Sequence, residues 1–225
     1  MPPMIEDILK TYLGVEECQS IRLDGVGLNG IYICVIDGHI NFGSIAMHCL
    51  ERTKHGAVHV ICATKEFCSK LSNQIQCLNQ NNIELRVVSS DTKEEERCKS
   101  CREWTLGNFS ILVSTTCCLV GNENKKCRSI VGVGHLFNIA CLVQACGRLR
   151  PSQRDRTCEA RFFVNTKQPI PLPEDNSHIF GDKLSVSLFM DPKVLTSFYQ
   201  EKSKCRQVHL LELLGSSLNE HDNCK

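Results

Sequence analysis

The chain has 225 residues, 42% of them hydrophobic, and its 26 Lys and Arg against 25 Asp and Glu leave a formal net charge of +1. That length fills one domain with a full core plus a small appendage, and the charge balance excludes a global basic field, so any nucleic-acid contact must rest on a local patch. The opening "MPPMIEDILK" has no basic segment followed by an apolar run, and no stretch approaches about 18 uncharged apolar residues, so neither a signal peptide nor a membrane span is expected.

From residue 30 onward strand and helix signals alternate. "GIYICVI" (30–36) predicts a strand and "FGSIAMHCLERT" (42–53) a helix; "AVHVICA" (57–63) predicts a strand and "KEFCSKLSNQIQCL" (65–78) a helix. "IELRVV" (83–88) is a strand signal, followed by the helix "KEEERCKSCREWTL" (93–106), which Gly107 ends. "FSILVS" (109–114), "SIVGVG" (129–134) and "ARFFVN" (160–165) predict further strands, with the helix "NIACLVQAC" (138–146) before the last. This alternation predicts an α/β fold, a mainly parallel sheet with helices on both faces. Such sheets bind ligands beyond the carboxyl ends of their strands, where the loops after Val113 and before Arg148 fall.

After residue 166 the sequence turns Pro-rich and polar, "TKQPIPLPEDNSHIFGD", and residues 167–190 read as a linker. Asp191 and Pro192 then make an N-cap and first turn for the helix "KVLTSFYQEK". A second helix, "CRQVHLLELL", is stopped by Gly215, so 191–225 form a small helical unit behind the 30–166 lobe.

The 16 cysteines do not read as a disulfide scaffold: with no secretory leader the compartment is intracellular and reducing, and a chain of this length folds without staples. Cys34, Cys62, Cys141 and Cys146 occupy apolar runs and read as buried free thiols. Cys98 and Cys101 form a CxxC on a charged helix with no second CxxC, half of a metal site at most. Trp104 reads as core.

"QACGRLRPSQR" (144–154) crowds arginines at the end of an apolar helix. Cations so close repel one another, and an anion between them would relieve the strain. A solvated basic helix end, favoured by the helix dipole, is the alternative.

Several of these stretches together carry a resemblance. "VHVICATKEFCSKL", "SSDTKEEERCKSCREWTLGNFSILVSTT" and "QACGRLRP" fall in the order and spacing of the second RecA-like lobe of superfamily-two helicases. "CRQVHLLELLG" followed by "HDNC" resembles the helical hairpin and zinc-binding segment of RecQ helicases, and "ILKTYLGVEECQSIRLDGVGLNGIYICV" is similar to the exit from the RecQ first lobe. The resemblance covers nearly the whole chain. It divides it into 1–29, the exit segment of a first lobe; 30–166, the helicase C-terminal lobe; the linker; and 191–225, a degenerate zinc-binding hairpin.

In such helicases ATP sits between two lobes, and the second supplies arginines that stabilise charge on the γ-phosphate. The resemblance therefore implies catalytic roles for Gln144, Arg148 and Arg150, and nucleotide contacts from Gln144, Gly147, Arg148, Gly121 and Glu123. It also implies single-stranded DNA contacts from Thr64, Lys65, Arg97, Ser114 and Thr115, positioning the strand without reading its sequence; Thr and Ser at strand ends equally often cap helices or turns. Nuclear localisation and 3′-to-5′ unwinding follow from the same resemblance.

The motifs depart from the family's in places. Pro151 stands where the second arginine of Q-x-x-G-R-x-x-R is expected and Arg150 lies one place early; Leu119 fills a glycine position, Glu123 an aspartate position, and "VVSSD" replaces His-Ala-Gly. No G-x-x-x-x-G-K-[ST] and no Asp-Glu-x-His occur, so ATP and Mg²⁺ are expected only if a partner or a longer chain brings the P-loop lobe, and no ATPase is expected of this chain alone. For zinc, Cys205 and Cys224 match the family's first and last ligands and His221 stands at a cysteine position. His209, four residues after Cys205, completes a Cys₂His₂ set suited to structural zinc; the other reading is a decayed site with His209 a surface bystander. Two functions remain open: the C-terminal lobe of an ATP-dependent DNA helicase, or a non-catalytic relic or adaptor binding nucleic acid or protein weakly.

Overall fold

The computed structural model describes residues 31–213 apart from 120, 137, 150–157 and 169–191. Its elements alternate as the pattern predicts: β1 (Ile31–Asp37), α1 (Phe42–Arg52), β2 (Ala57–Cys62), α2 (Lys65–Leu78), β3 (Leu85–Val88), α3 (Glu94–Leu106), β4 (Ile111–Ser114), a 3₁₀ turn (Thr116–Cys118), β5 (Cys127–Val133), α4 (Ile139–Cys146), β6 (Cys158–Val164), α5 (Pro192–Gln200) and α6 (Arg206–Leu213). The strands form one six-stranded sheet in the order β1-β6-β5-β2-β4-β3. Every pairing in it is parallel, so the expected fold class is the one observed.

The starts of α1 to α4 each have a local cause. Asn41 Oδ1 accepts from Ser44 N at 3.0 Å, Thr64 Oγ1 from Phe67 N at 3.1 Å and Asn138 Oδ1 from Cys141 N at 2.9 Å, each satisfying a donor the first turn leaves open. Helix α3 has no side-chain cap; Glu94, Glu95 and Glu96 fill its first turn instead, where carboxylates complement the dipole. Gly107 closes it at φ 72°, a left-handed cap that glycine takes without steric cost.

Two strands start later than their apolar runs. Asn79 grips the backbone of Ile83 with both ends of its amide, at 2.7 and 2.9 Å, and so keeps that residue out of the ladder before β3. Phe109 is buried, yet it serves as a plug against Trp104 and does not join β4. Conversely β5 begins at Cys127, ahead of the predicted 129, because the Asn124 side chain accepts from Lys126 N and its carbonyl from Cys127 N, turning the chain into the sheet early.

Both faces of the sheet are covered. On one, Ile45, Ala46 and Cys49 of α1 and Cys68, Leu71 and Ile75 of α2 pack on Val58, Val60, Val113 and Val131. On the other, Trp104 of α3, Leu142 and Ala145 of α4, Leu195, Phe198 and Tyr199 of α5, and Leu210 of α6 pack on Ile61, Leu112, Ile130 and Phe162. Helices α5 and α6 thus share the sheet's own core. Phe162 lies so close to Gly132 that a Cβ there would sit 2.3 Å from its ring.

The described cysteines other than Cys205 are free thiols, as expected of Cys34, Cys62, Cys141 and Cys146, though Cys34 and Cys141 are only half-buried. Cys205 departs from the expectation: it is disulfide-bonded. Trp104 is buried, as predicted. Among the described residues no helix is long and apolar enough to cross a membrane. The Pro-rich segment, the Asp191 cap and the Gly215 stop lie outside the described residues.

Candidate functional site

Strands β2, β4 and β3 are neighbours, so their carboxyl ends form one rim, and the predicted nucleic-acid residues gather on it. Thr64 follows β2, Ser114 closes β4 with Thr115 behind it, and the β3 end reaches across, Thr115 N donating to Val88 O at 3.3 Å. Arg97, on α3, is close enough to bear electrostatically on Cys117 of the loop after β4.

The side chains on this rim are not equally available. The Thr64 hydroxyl is engaged as the α2 cap. Lys65 is exposed and extends over the rim, where its Nζ meets Asp91 Oδ1 at 2.5 Å. Asp91 belongs to "VVSSD", the segment that departs from the family pattern, so that departure sets a carboxylate beside the cation that would meet a phosphate. Ser114 is fully buried and its Oγ bonds His59 Nε2 at 2.8 Å. Any phosphate contact from the end of β4 would therefore fall to the half-buried Thr115 and to backbone amides.

The residues predicted to face a nucleotide fall in two places, on and behind α4 and in the loop before β5. Gln144 is exposed on α4, Gly147 caps that helix, and Arg148 follows, its N–H donating to Ala145 O at 3.0 Å. Arg148 Nε is buried and has no hydrogen-bond partner among the described residues. Burial first and then the Arg148 charge push the His59 imidazole down to about 3, so the guanidinium is near enough to bear electrostatically on the His59–Ser114 pair. Gly121 lies exposed in the loop before β5 at φ 79°, a conformation that keeps a glycine there. Glu123 is half-buried in the same loop. Arg150 lies outside the described residues.

Of the predicted zinc set, Cys205 and His209 are described, while His221 and Cys224 lie outside the described residues. His209 is not the surface residue of the alternative reading: it is buried, stacked on Phe198 with ring centroids 6.0 Å apart, and its Nε2 has no partner among the described residues. An orphaned ring nitrogen suits a ligand role, whereas a disulfide at Cys205 withholds the thiolate that zinc requires. Among the described residues no group of three or more His, Cys, Asp or Glu could hold a metal. The Cys101 sulfur of the CxxC lies 4.0 Å from that of Cys118.

Sequence reasoning missed His59 and Cys117. A histidine inside "AVHVICA" reads as an interruption of a strand until its partner on β4 is seen. The adjacent cysteines of "STTCCLV" mattered only as a departure from a motif.

Residues 43–151 match the family described as Helicase conserved C-terminal domain. This stretch is thus similar to a helicase C-terminal domain. The match spans α1 to the start of the arginine-rich segment and so contains the whole rim and Arg148. Among solved structures, Mycobacterium smegmatis helicase Lhr bound to ssDNA and AMP-PNP is similar at 12% identity and a TM-score of 0.50, over 60% of this chain and 19% of that one. S. cerevisiae Dbp5 bound to Gle1 and IP6 is similar at 14% identity and a TM-score of 0.55, over 96% of this chain and 52% of that one. The chain therefore spans about half or less of the length of these proteins, and at such identities the likeness is one of fold. No curated protein sequence matches.

Proposed function

We propose that the chain is the C-terminal lobe of a RecQ-like, superfamily-two DNA helicase, supplying Arg148 to a nucleotide held mainly by a P-loop lobe and the rim after β2, β4 and β3 to single-stranded DNA. The observation that carries this reading is Arg148, a guanidinium directly behind α4 whose buried Nε has no partner among the described residues. A planar fork held ready for an oxyanion is what stabilisation of γ-phosphate charge requires. Gln144 and Gly147 stand beside it on the same motif, and Arg150 is the second candidate cation. That Lhr was solved with ssDNA and a nucleotide analogue on a related fold supports the reading.

The sequence contains no phosphate-cradling P-loop, so this chain contributes only the arginine side of the reaction. Its residues can orient a terminal phosphate and neutralise charge developing on it, while Mg²⁺ and the cradle come from the other lobe, in a partner or a longer chain. Zinc on Cys205, His209, His221 and Cys224 belongs to the same proposal; it requires a reduced Cys205. Nuclear localisation and 3′-to-5′ polarity extend it by the same kinship.

A second reading, a non-catalytic adaptor, draws on the Lys65–Asp91 ion pair and on the burial of Ser114, both of which lower the rim's appetite for phosphate. Fluorescence anisotropy of a labelled oligothymidine separates the two. The helicase lobe should bind it at low salt and lose affinity as salt rises. An oligothymidine that stays free at every salt concentration leaves the adaptor.

A further inference from the structure

Beside the rim, in the 3₁₀ turn after β4, three thiols lie in a row. Cys117 is exposed, and its Sγ stands 3.8 Å from that of Cys118, which in turn stands 4.0 Å from that of Cys101 on α3. Cys118 is buried, Cys101 half-buried. The chain of sulfurs therefore runs from solvent into the core and joins two elements, the loop after β4 and helix α3.

We propose that this row is a peroxide-reactive thiol relay, in which Cys117 is the site of attack, Cys118 resolves it, and the lasting product is a disulfide between Cys101 and Cys118. The chemistry at Cys117 favours a nucleophile. The neighbouring Cys118 thiol first, then the Thr115 hydroxyl, which donates to the Cys117 sulfur at 3.3 Å, and the Arg97 charge bring the Cys117 thiol down to about 6 against the opposing effect of burial. The Cys117 sulfur first, and then burial, drive Cys118 upward instead. The exposed thiol is thus the ionised one, and ionisation and access together select which cysteine a peroxide meets.

The steps balance. The Cys117 thiolate attacks a peroxide oxygen, the O–O bond breaks, and after protonation the sulfenic acid and water remain. The Cys118 thiol then attacks the Cys117 sulfur, releasing a second water and closing a Cys117–Cys118 disulfide. That bond is a poor resting place: adjacent Cα atoms are about 3.8 Å apart, short of the roughly 4.4–6.8 Å that disulfides span. Attack of Cys101 on the Cys118 sulfur moves the bond to Cys101 and expels Cys117 as thiolate. Of the two sulfurs in that bond, Cys117 has the lowered thiol and is the better leaving group. Two thiols are oxidised and one peroxide is reduced to two waters.

The exposed Cys77 on α2 is an internal reference. With limiting iodoacetamide at pH 7, Cys117 should be alkylated several-fold faster than Cys77, because its lowered thiol is largely ionised at that pH although a lower-pKa thiolate is the weaker nucleophile. After one equivalent of hydrogen peroxide, non-reducing peptide mapping should find residues 101 and 118 linked. In Cys101→Ala the Cys117 sulfur should instead stay oxidised, as sulfenic acid or as the strained bond to Cys118, and should be recovered by mild reductant. Equal labelling of Cys117 and Cys77, or a peroxide-treated wild-type protein in which Cys117 ends as sulfinic acid with Cys101 still reduced, overturns the relay. Both readouts use the wild-type chain, so neither depends on a variant folding, and neither involves nucleic acid.

Discussion

Inside the sheet, His59 Nε2 and Ser114 Oγ lie 2.8 Å apart on neighbouring strands, their residues 1% and 0% exposed. The pair is a buried hydrogen bond between the strand that leads to Thr64 and the strand that leads to Thr115, so it fixes the relative height of the two halves of the rim. Held at about 3, the imidazole is neutral at every physiological pH, and the bond is between uncharged groups.

That shift makes stability rise with pH. A histidine titrating near 6.5 in the unfolded chain but near 3 in the fold binds its proton first when unfolded, so its contribution is complete above the unfolded value and is lost as pH falls below it. Between pH 7 and 5 the loss should be about 2 kcal/mol. His48, lowered chiefly by burial, acts in the same direction. Urea midpoints at the two pH values measure it, and in His59→Leu/Ser114→Ala the His59 share of the slope should vanish.

At the rim, Lys65→Ala and Asp91→Asn should move single-stranded DNA affinity in opposite senses. Removing the lysine should weaken binding a few-fold for all sequences alike and flatten the salt slope by about 0.7, one single-strand phosphate contact. Removing the carboxylate frees the lysine and should strengthen binding by a similar factor. Anisotropy titrations across salt decide it; identical effects of the two variants would show that the ion pair acts as a structural clasp.

The chain alone should show no ATP hydrolysis above background, with or without single-stranded DNA, in a coupled phosphate assay. Turnover that disappears in Arg148→Ala would contradict this division of labour.

Reduced protein should retain about one equivalent of zinc by metal analysis, and His209→Ala should release it. A metal content near background after purification under strong reductant would instead mean that α5 and α6 are held by Phe198, Tyr199 and Leu210 without a metal.

Gly132→Ala should be among the more damaging small substitutions in the sheet. The added methyl meets the Phe162 ring at 2.3 Å in a filled core, and overpacking of this kind costs about 1–3 kcal/mol. The denaturation midpoint should fall accordingly.

Much of this was legible in the residues. Alternation of "AVHVICA" with "KEFCSKLSNQIQCL" placed β2 and α2 to within a residue, because a strand buried on both faces must be apolar throughout and its helix must be amphipathic. What could not be read was which way a polar side chain turns at a strand end. Ser114 was legible as a terminal hydroxyl, yet its inward direction follows from the register of β4 against His59, a residue 55 positions earlier in the chain. Likewise the acid facing Lys65 comes from another loop, 26 residues away. Cys101 and Cys118 are 17 residues apart, and nothing in "CKSC" announces a third sulfur.

The pairing of β1 with β6 has a consequence for how the protein is made. Ile31 sits beside Cys158, so the first described strand of the sheet has its neighbour at the far end of the lobe, and among the described residues β1 is an edge with no other partner. On a ribosome β1 must therefore wait, solvated and unpaired, while the four strands between are synthesised, and the last loop closed is the longest. During that interval Tyr32 and Ile36 belong to an open sheet edge, and a nascent chain stalled before residue 158 would offer that edge to its neighbours on the same polysome.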